Sequence, residues 1–242
     1  MIRMLVRGIR RVFTKGPIDT ARWAWYHVYE GSRERWLGIE TIGSGAWADA
    51  FENQDCHEYQ PLYYAGLDRA FKRLRIRRGK DVFLDYGSGM GRIVTVAATH
   101  PFKKVIGVEM LPDLNEISRT NIERARRRLK CPDVEIIQTD ATTYELPPDV
   151  TVIFLFNPFF GDVLRAVQQQ IRKSLEAHPR NLQLVYMNPL VDPDLFEECD
   201  WLTRRADLPV GLWTAMRFRL YENRQSDMQP TGNAGVLAES HA

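Results

Sequence analysis

Residues 81–92 read DVFLDYGSGMGR, and this stretch decides the fold class of the 242-residue chain. Three apolar residues precede an acid, Asp85, and glycines follow at positions 87, 89 and 91. A continuous apolar run is typical of a strand that is buried on both faces of a parallel sheet. Glycines directly after such a strand let the backbone turn sharply and approach a ligand closely. The stretch therefore predicts a strand, a ligand-binding turn and a helix.

Similar apolar runs recur after this stretch and alternate with segments of helical periodicity. Further strands are expected at residues 104–108, 134–137, 152–156 and 182–186. The helical segments between them carry apolar stripes at Ile93, Val94 and Ala97; at Leu114, Ile117, Ile122, Ala125 and Leu129; and at Val163, Leu164, Val167, Ile171 and Leu175. Alternating strands and helices predict an α/β fold with a doubly wound, mostly parallel sheet.

Two later segments complete a seven-stranded sheet. Residues 201–205 and 212–221 are expected to form a C-terminal antiparallel hairpin, with Pro209 and Gly211 in its connection. Residues 75–222 then form the main domain. Residues 223–242 have little apolar periodicity, and we expect a disordered tail there.

The chain before the main domain is expected to form an N-terminal helical cap. Residues 18–74 are rich in aromatics, and apolar spacing predicts a helix over about 61–74. Residues 1–17 are expected to form a basic amphipathic segment, with helical apolar spacing over residues 1–13. Its helix should stop near Lys15, because Gly16 and Pro17 follow. Its apolar stripe can pack on the protein's own core, contact a membrane surface or belong to an organelle transit peptide. A cytoplasmic location is expected, and weak peripheral membrane contact through residues 1–15 stays open.

The overall charge of +2 gives no general attraction to nucleic acid. One predicted helix nevertheless carries a basic run at Arg119, Arg124, Arg126, Arg127, Arg128 and Lys130. Such a run is usually a solvated face, and a nucleic-acid track together with residues 75–80 is the alternative. The three cysteines are far apart without a C-x-x-C pair, so we expect no metal site.

Two further acids end the two strands that follow the glycine-rich turn, Glu109 in IGVEM and Asp140 in IIQTDA. Carboxyl ends of parallel strands share one edge of a sheet, where ligands bind. A NAD-dependent oxidoreductase also has a glycine-rich turn, in the form G-x-G-x-x-G. Here Arg92 occupies a slot that this fingerprint keeps small, and Asp85 would place a negative charge near the pyrophosphate.

In order, DYGSGMGR, VIGVEM, TDA and FNPF resemble the four successive motifs of class I (Rossmann-like) methyltransferases that use S-adenosylmethionine (SAM). The resemblance covers roughly residues 59–221. It implies that SAM is the cofactor and that Asp85 and the glycines contact its methionine moiety, Glu109 its ribose and Asp140 its adenine edge. The full set of implied cofactor-binding residues is Asp85, Gly87, Ser88, Gly89, Gly91, Glu109, Asp140 and Ala141. Tyr86 departs from the family, in which a small or aliphatic residue follows the acid.

A narrower similarity, to members that include protein lysine methyltransferases, rests on DYGSGMGRIV, on Tyr59-Gln60-Pro61 and on Asn188-Pro189. In addition, Asn157-Pro158-Phe159-Phe160 resembles the N-P-P-Y motif of amino-methylating members, with Phe159 in place of the second proline. In that motif the Asn side chain and the Pro carbonyl accept hydrogen bonds from the amine. The resemblance thus implies catalytic roles for Asn157, Pro158 and Phe159, with Tyr59, Tyr63 and Trp47 as candidates for binding the substrate.

The function expected from these features is SAM-dependent N-methylation of a protein, on a lysine side chain. A methyltransferase acting on a small molecule or on RNA is the first alternative. An NAD-dependent oxidoreductase and a non-catalytic SAM-fold binding module are the others.

Overall fold

The computed structural model describes residues 16–41, 62–189, 194–210 and 216–223. Within these ranges seven strands form one sheet in the order β3-β2-β1-β4-β5-β7-β6. They are β1 (Val82–Tyr86), β2 (Lys104–Glu109), β3 (Asp133–Gln138), β4 (Val150–Phe156), β5 (Gln183–Met187), β6 (Leu202–Pro209) and β7 (Arg217–Asn223). The first five strands are parallel, and β7 runs antiparallel to both β5 and β6. The expected fold class is confirmed.

Five α-helices accompany the sheet in the described ranges: α1 (Pro17–Leu37), α2 (Tyr64–Phe71), α3 (Arg92–Ala98), α4 (Pro112–Ala125) and α5 (Gly161–Ala177). Both α1 and α4 begin at a proline, whose missing N–H would have no helical partner at this position. Gly38 ends α1 in the left-handed conformation, with φ 75°. None of these helices is long and apolar enough to cross a membrane.

Apolar clusters lie on both faces of the sheet. Phe83 of β1 packs in a cluster with residues of α2 and α3. Its neighbour Leu84 packs in the opposite cluster, with residues of α5. This alternation follows from the strand geometry, in which successive side chains point to opposite faces. The central strand β1 is thus covered on both sides, and the turn that follows it leaves the sheet between two packed layers.

Several expected boundaries were wrong. The helix expected over residues 61–74 is only Tyr64–Phe71, and the basic run does not lie on one helix. Instead α4 ends at Ala125 and tightens into a 3₁₀ turn, Arg126–Arg128. The following N–H groups of Lys130 and Cys131 donate to the Ala98 carbonyl, which draws the chain away from the helix axis toward β3.

The C-terminal hairpin is confirmed, but its connection lies later in the chain than expected. Pro209 ends β6 rather than lying in the connection, and β7 begins at Arg217. Because β6 is the edge strand, a proline at its end interrupts no central ladder. Strand β7 lies between β5 and β6, so the hairpin attaches to the parallel sheet through its second strand.

Some expected features lie outside the described residues: the helix in residues 1–13, Trp47, Tyr59, Gly211 and residues 224–242. Pro17, which was expected to end the N-terminal segment, begins α1. Asn223, which was expected in the tail, ends β7.

Arg92, the first residue of α3, joins the cap to the sheet. Its side chain is buried, with 4% exposure, and its guanidinium lies 3.1 Å from Glu34 and 3.6 Å from Glu30 of α1. It also donates to the Thr41 hydroxyl at 2.6 Å and to the Leu62 carbonyl at 2.8 Å. Segments on both sides of the undescribed residues 42–61 therefore meet at one cation.

Replacement of Arg92 tests this junction. Arg92→Met leaves Glu30 and Glu34 buried without their cation, and removing one partner of a buried ion pair costs about 3–5 kcal/mol. We expect that loss in the free energy of unfolding, measured by urea titration with circular dichroism. Arg35→Met, the same change on an exposed part of α1, should stay within about 0.5 kcal/mol. Equal unfolding midpoints for the two variants would show that Arg92 does not hold the cap.

Candidate functional site

The glycine-rich turn follows β1 at the centre of the sheet, between β2 and β4. Gly87, Gly89 and Gly91 all have positive φ, at 72°, 53° and 79°, a region that other residues rarely adopt. The N–H groups of Gly87 and Ser88 donate to the Val108 carbonyl of β2 at 2.9 and 3.0 Å. These bonds bring the turn against the end of β2, where Glu109 lies.

Asp85 is fully buried at the end of β1, with 0% exposure. Neither carboxylate oxygen has a hydrogen-bond partner in the described part of the chain, and the same holds for the Ser88 hydroxyl. Burial raises the pKa of Asp85 well above its ordinary value, and the charge of Glu109 raises it further. Such groups are costly in a folded protein unless a ligand completes their hydrogen bonds. The positive charge and polar hydrogens of a cofactor's methionine moiety fit this place.

Glu109 ends β2 and braces the turn. Its two carboxylate oxygens accept hydrogen bonds from the Gly89 and Leu111 N–H groups, each at 2.9 Å. Burial raises the pKa of Glu109, while these N–H donors lower it. A carboxylate offers about four acceptor sites, so about two remain for the hydroxyls of a ribose. Glu109 thus has a structural role at the start of α4 in addition to the binding role predicted for it.

Asp140 and Ala141 follow β3 beside Glu109, because the Thr139 N–H donates to the Glu109 carbonyl at 3.1 Å. Asp140 is exposed, and one of its oxygens accepts from the N–H and the hydroxyl of Thr142, both at 2.8 Å. Ala141 is buried. The carboxylate therefore shapes its own loop, and its contact with adenine stays a prediction.

The Asn157-Pro158 loop packs directly on the glycine-rich turn. A Cβ atom built on Gly87 would lie 2.5 Å from Cβ of Pro158, so only glycine fits there. Asn157 follows β4 with φ 42°, in the left-handed region, and is 9% exposed. Phe159 is 8% exposed and packs in the apolar cluster on the α5 face of the sheet. The structure thus brings Asn157 and Pro158 to the turn and gives Phe159 a core position.

The substrate-binding candidates are only partly described. Tyr63 is exposed and precedes α2, between Leu62 and Tyr64. Leu62 accepts a hydrogen bond from Arg92, and the Tyr64 ring lies 4.6 Å from the Arg92 guanidinium. Tyr63 is therefore held near the start of α3, close to the turn, whereas Trp47 and Tyr59 lie outside the described residues.

Sequence reasoning missed the polar face of α4. Asn115, Ser118 and Asn121 are buried, while Ile117 and Ile122 of the expected apolar stripe are only half-buried. Asn115 donates to the Glu109 carbonyl at 3.0 Å, and Asn121 donates to the Met90 carbonyl in the turn at 3.0 Å. Their helical spacing was visible in the sequence, but polar residues at such spacing usually mark a solvated face.

The described residues contain no group of three or more His, Cys, Asp or Glu side chains placed to hold a metal ion. Asp85, Ser88, Glu109 and Asn157 instead form a compact polar site of carboxyl, hydroxyl and amide groups at the ends of β1, β2 and β4.

The family model described as Histone methylation protein DOT1 matches residues 51–194, more than half of the chain. The chain belongs to the DOT1 family. It is therefore a SAM-dependent methyltransferase, and SAM is its cofactor. Membership of the DOT1 family therefore favours the methyltransferase over two of the alternatives, the NAD-dependent oxidoreductase and the non-catalytic SAM-fold binding module.

Several solved structures are similar to this DOT1-family chain, and the first two described here share its fold. A mutant of MtNAS in complex with S-adenosylmethionine has a TM-score of 0.53 at 16% identity, over 86% of this chain and 78% of that one. A putative methylase from Haemophilus influenzae has a TM-score of 0.50 at 20% identity, over 65% and 87%. An RNA methyltransferase from Salinibacter ruber with S-adenosyl-L-homocysteine has a TM-score of 0.49 at 24% identity, over 74% and 100%. A comparison with curated proteins found no match.

Replacement of Asp85 should stabilise the cofactor-free enzyme and weaken SAM binding. Because burial raises the pKa of Asp85 in the folded state, ionisation of this carboxyl destabilises the fold. The penalty is absent below the unfolded pKa of about 3.9 and grows as pH rises above it. Asp85→Asn removes this penalty. We expect Tm near neutral pH to rise by at least about 2 °C, the shift that roughly 1 kcal/mol gives at this length, with a gain that grows with pH above about 4.

Calorimetric titration of the same variant should show weaker SAM binding. Asp113→Asn, the same change at an exposed site, is the control and should alter neither the pH dependence nor the affinity. A lower Tm for Asp85→Asn at every pH would mean that the buried carboxylate already has its partners in the free protein.

Proposed function

We propose that this enzyme transfers the methyl group of SAM to the Nε atom of a lysine side chain in a protein. The observation that carries the proposal is the packing of Pro158 on Gly87. Through this contact the Asn157-Pro158 loop, which resembles the amine-binding motif, lies against the turn that the family resemblance assigns to the methionine end of SAM. The meeting of these two segments, which follow different strands, supports a site where cofactor and acceptor amine lie side by side.

The proposed cofactor site consists of Asp85, Ser88 and the turn glycines together with Glu109, Asp140 and Ala141. The carboxylate of Asp85, which has no hydrogen-bond partner among the described residues, suits the positive charge of the methionine moiety. Gly87 and Gly91 allow Pro158 and Ser118 to pack directly on the turn. The remaining acceptor sites of Glu109 suit two ribose hydroxyls. The donor set thus fits SAM without a metal ion.

The reaction is an in-line displacement: the lysine amine lone pair forms the new N–C bond, the C–S bond breaks with its electrons on sulfur, and the amine proton leaves to solvent. Correct alignment of the reacting atoms can lower such a barrier by about 7–11 kcal/mol. The residues of this chain therefore need to orient a neutral amine rather than to act as a strong base.

Asn157 and Pro158 offer neutral acceptors for that purpose. The carboxamide oxygen of Asn157 and the Pro158 carbonyl can accept hydrogen bonds from the amine without stabilising its protonated form as a carboxylate would. Asn157 is nearly buried, which limits competition from water. The description of the DOT1 family as a histone methylation family supports a protein lysine as the acceptor.

The experiment is incubation of the purified enzyme with a cell extract and methyl-tritiated SAM. We expect label in acid-precipitated protein, recovered as methyl-lysine after hydrolysis. Label in RNA or in small molecules alone would contradict the proposal and favour the alternative acceptors.

In the same assay, Asn157→Ala should lower the rate of protein labelling about 100-fold, because removing one oriented polar group at a reacting centre costs about 2.7–4 kcal/mol in other enzymes. SAM affinity, measured by calorimetry, should stay within about twofold. Asn181→Ala, the same change at an exposed residue that precedes β5, serves as the control. Full turnover by Asn157→Ala would remove this residue from the acceptor site.

We also propose weak contact with an anionic membrane surface through residues 1–15 and the adjoining α1. Ile18, Trp25 and Val28 of α1 are 67%, 63% and 62% exposed, an uncommon degree for large apolar side chains. A cation lies at the C-terminal end of the same helix, where the Arg128 guanidinium is 5.9 Å from the Trp36 ring. Exposed tryptophan together with cations is typical of helices that bind at a lipid interface.

Vesicle sedimentation checks this contact. The enzyme should bind vesicles that contain phosphatidylglycerol at low salt, and less at high salt because the charges are screened. The double variant Trp25→Ser, Val28→Ser should bind less than the wild type, with unchanged SAM affinity. Equal sedimentation of both proteins, or equal binding to vesicles of neutral phosphatidylcholine, would contradict the contact.

A further inference from the structure

We infer that Tyr186 is a positioning residue for methyl transfer, because its hydroxyl group holds the carboxamide of Asn157. The inference rests on the proposed function, in which Asn157 orients the acceptor amine. Tyr186 did not stand out in the sequence, where it was only the last residue of an expected strand.

The register of the sheet brings the two residues together. Tyr186 lies in β5 opposite Leu155 of β4, and Asn157 follows two residues after Leu155. The Tyr186 side chain is 2% exposed, and its hydroxyl oxygen lies 3.4 Å from Oδ1 of Asn157. The contact therefore joins the ends of two neighbouring parallel strands at the edge where the candidate site lies.

The ring of Tyr186 is held from behind. Phe196 packs edge-on against it with ring centroids 5.3 Å apart, and Tyr221 packs on Phe196 at 6.0 Å. The Tyr221 hydroxyl donates to Asp194 at 2.8 Å, and Asp194 forms a buried ion pair with Arg219 at 2.9 Å. A packed aromatic cluster with a buried ion pair at its end leaves the phenol little freedom to move.

The phenol remains a donor at physiological pH. Burial raises the pKa of Tyr186 to about 12, and the charge of Asp194 also raises it, while Arg219 opposes them. A neutral hydroxyl group donates to the carboxamide oxygen, so the plane of the Asn157 amide is fixed with Oδ1 toward β5. The oxygen has a second lone pair, which stays available for the acceptor amine.

The backbone of Asn157 does not by itself fix the orientation of its side-chain amide. Its backbone is in the left-handed region, φ 42°, directly after the strand ends, where the regular alternation of strand side chains no longer determines the direction of its side chain. Without the phenol, the amide can rotate and present its NH2 group to the amine. An NH2 group is a donor and cannot accept a hydrogen bond from the amine.

Tyr186→Phe removes the hydroxyl and keeps the ring. We expect kcat for protein labelling in the extract assay to fall about threefold to tenfold, the range of one neutral hydrogen bond, with SAM affinity unchanged. In the Asn157→Ala background, the same change should have no further effect. Tyr29→Phe is the matched control, because it removes a half-buried hydroxyl that donates to Asp68 in the cap and not to Asn157.

A second measurement does not depend on activity. In ¹⁵N–¹H spectra, the side-chain amide signal of Asn157, assigned by its loss in Asn157→Ala, should shift in Tyr186→Phe and stay in place in Tyr29→Phe. An unchanged signal, or equal kcat values for Tyr186→Phe and the wild type while Asn157→Ala is impaired, would overturn the inference and leave the proposed function standing. Full activity of Asn157→Ala would contradict the proposed function itself.

Discussion

The guanidinium group of Arg92 is enclosed by groups from separate parts of the chain, and the placement of the site depends on it. Two carboxylates of α1, the Thr41 hydroxyl, the Leu62 carbonyl and the Tyr64 ring all contact it. A buried ion pair contributes little net stability, because desolvation offsets the attraction. Its effect here is specificity: the cation accepts only one arrangement of cap, α2 and α3, and α3 begins where the glycine-rich turn ends.

The site itself works against stability. Asp85 is fully buried without partners among the described residues, next to a second buried carboxylate, and burial raises the pKa of both. A sequence selected for stability alone would place apolar residues there, as it does at Phe83 and Leu84, which lie two positions and one position earlier. Perturbed carboxyls at the ends of central strands are therefore a sign of ligand binding, and the surrounding apolar clusters offset their cost.

The parts of the fold that the sequence predicted are those with local causes. The strands of the parallel sheet are continuous apolar runs, and the turn after β1 needs glycine at three positions of positive φ. The network around Arg92 and the buried polar face of α4 were not predicted, because their partners are distant in sequence. Asn121 illustrates this, because its side-chain amide forms hydrogen bonds with Glu40 and Met90, which are 81 and 31 residues away in sequence. The residues next to Asn121 give no indication of either contact.

The candidate site shows the same division. Asp85, Glu109 and Asn157 lie at the carboxyl ends of three strands and were singled out from position and residue type, since the carboxyl ends of parallel strands form the ligand-binding edge. Their roles as structural braces were not visible: Glu109 holds the turn and the start of α4, and Asp140 caps its own loop. Gly87 is subject to one local and one distant constraint. Its positive φ favours glycine, and the close approach of Pro158, which follows the neighbouring strand β4, leaves no space for a Cβ atom. Because one residue satisfies both constraints, any larger side chain there would move the glycine-rich turn and the Asn157-Pro158 loop together, so the relative placement of these two segments depends on a single backbone position.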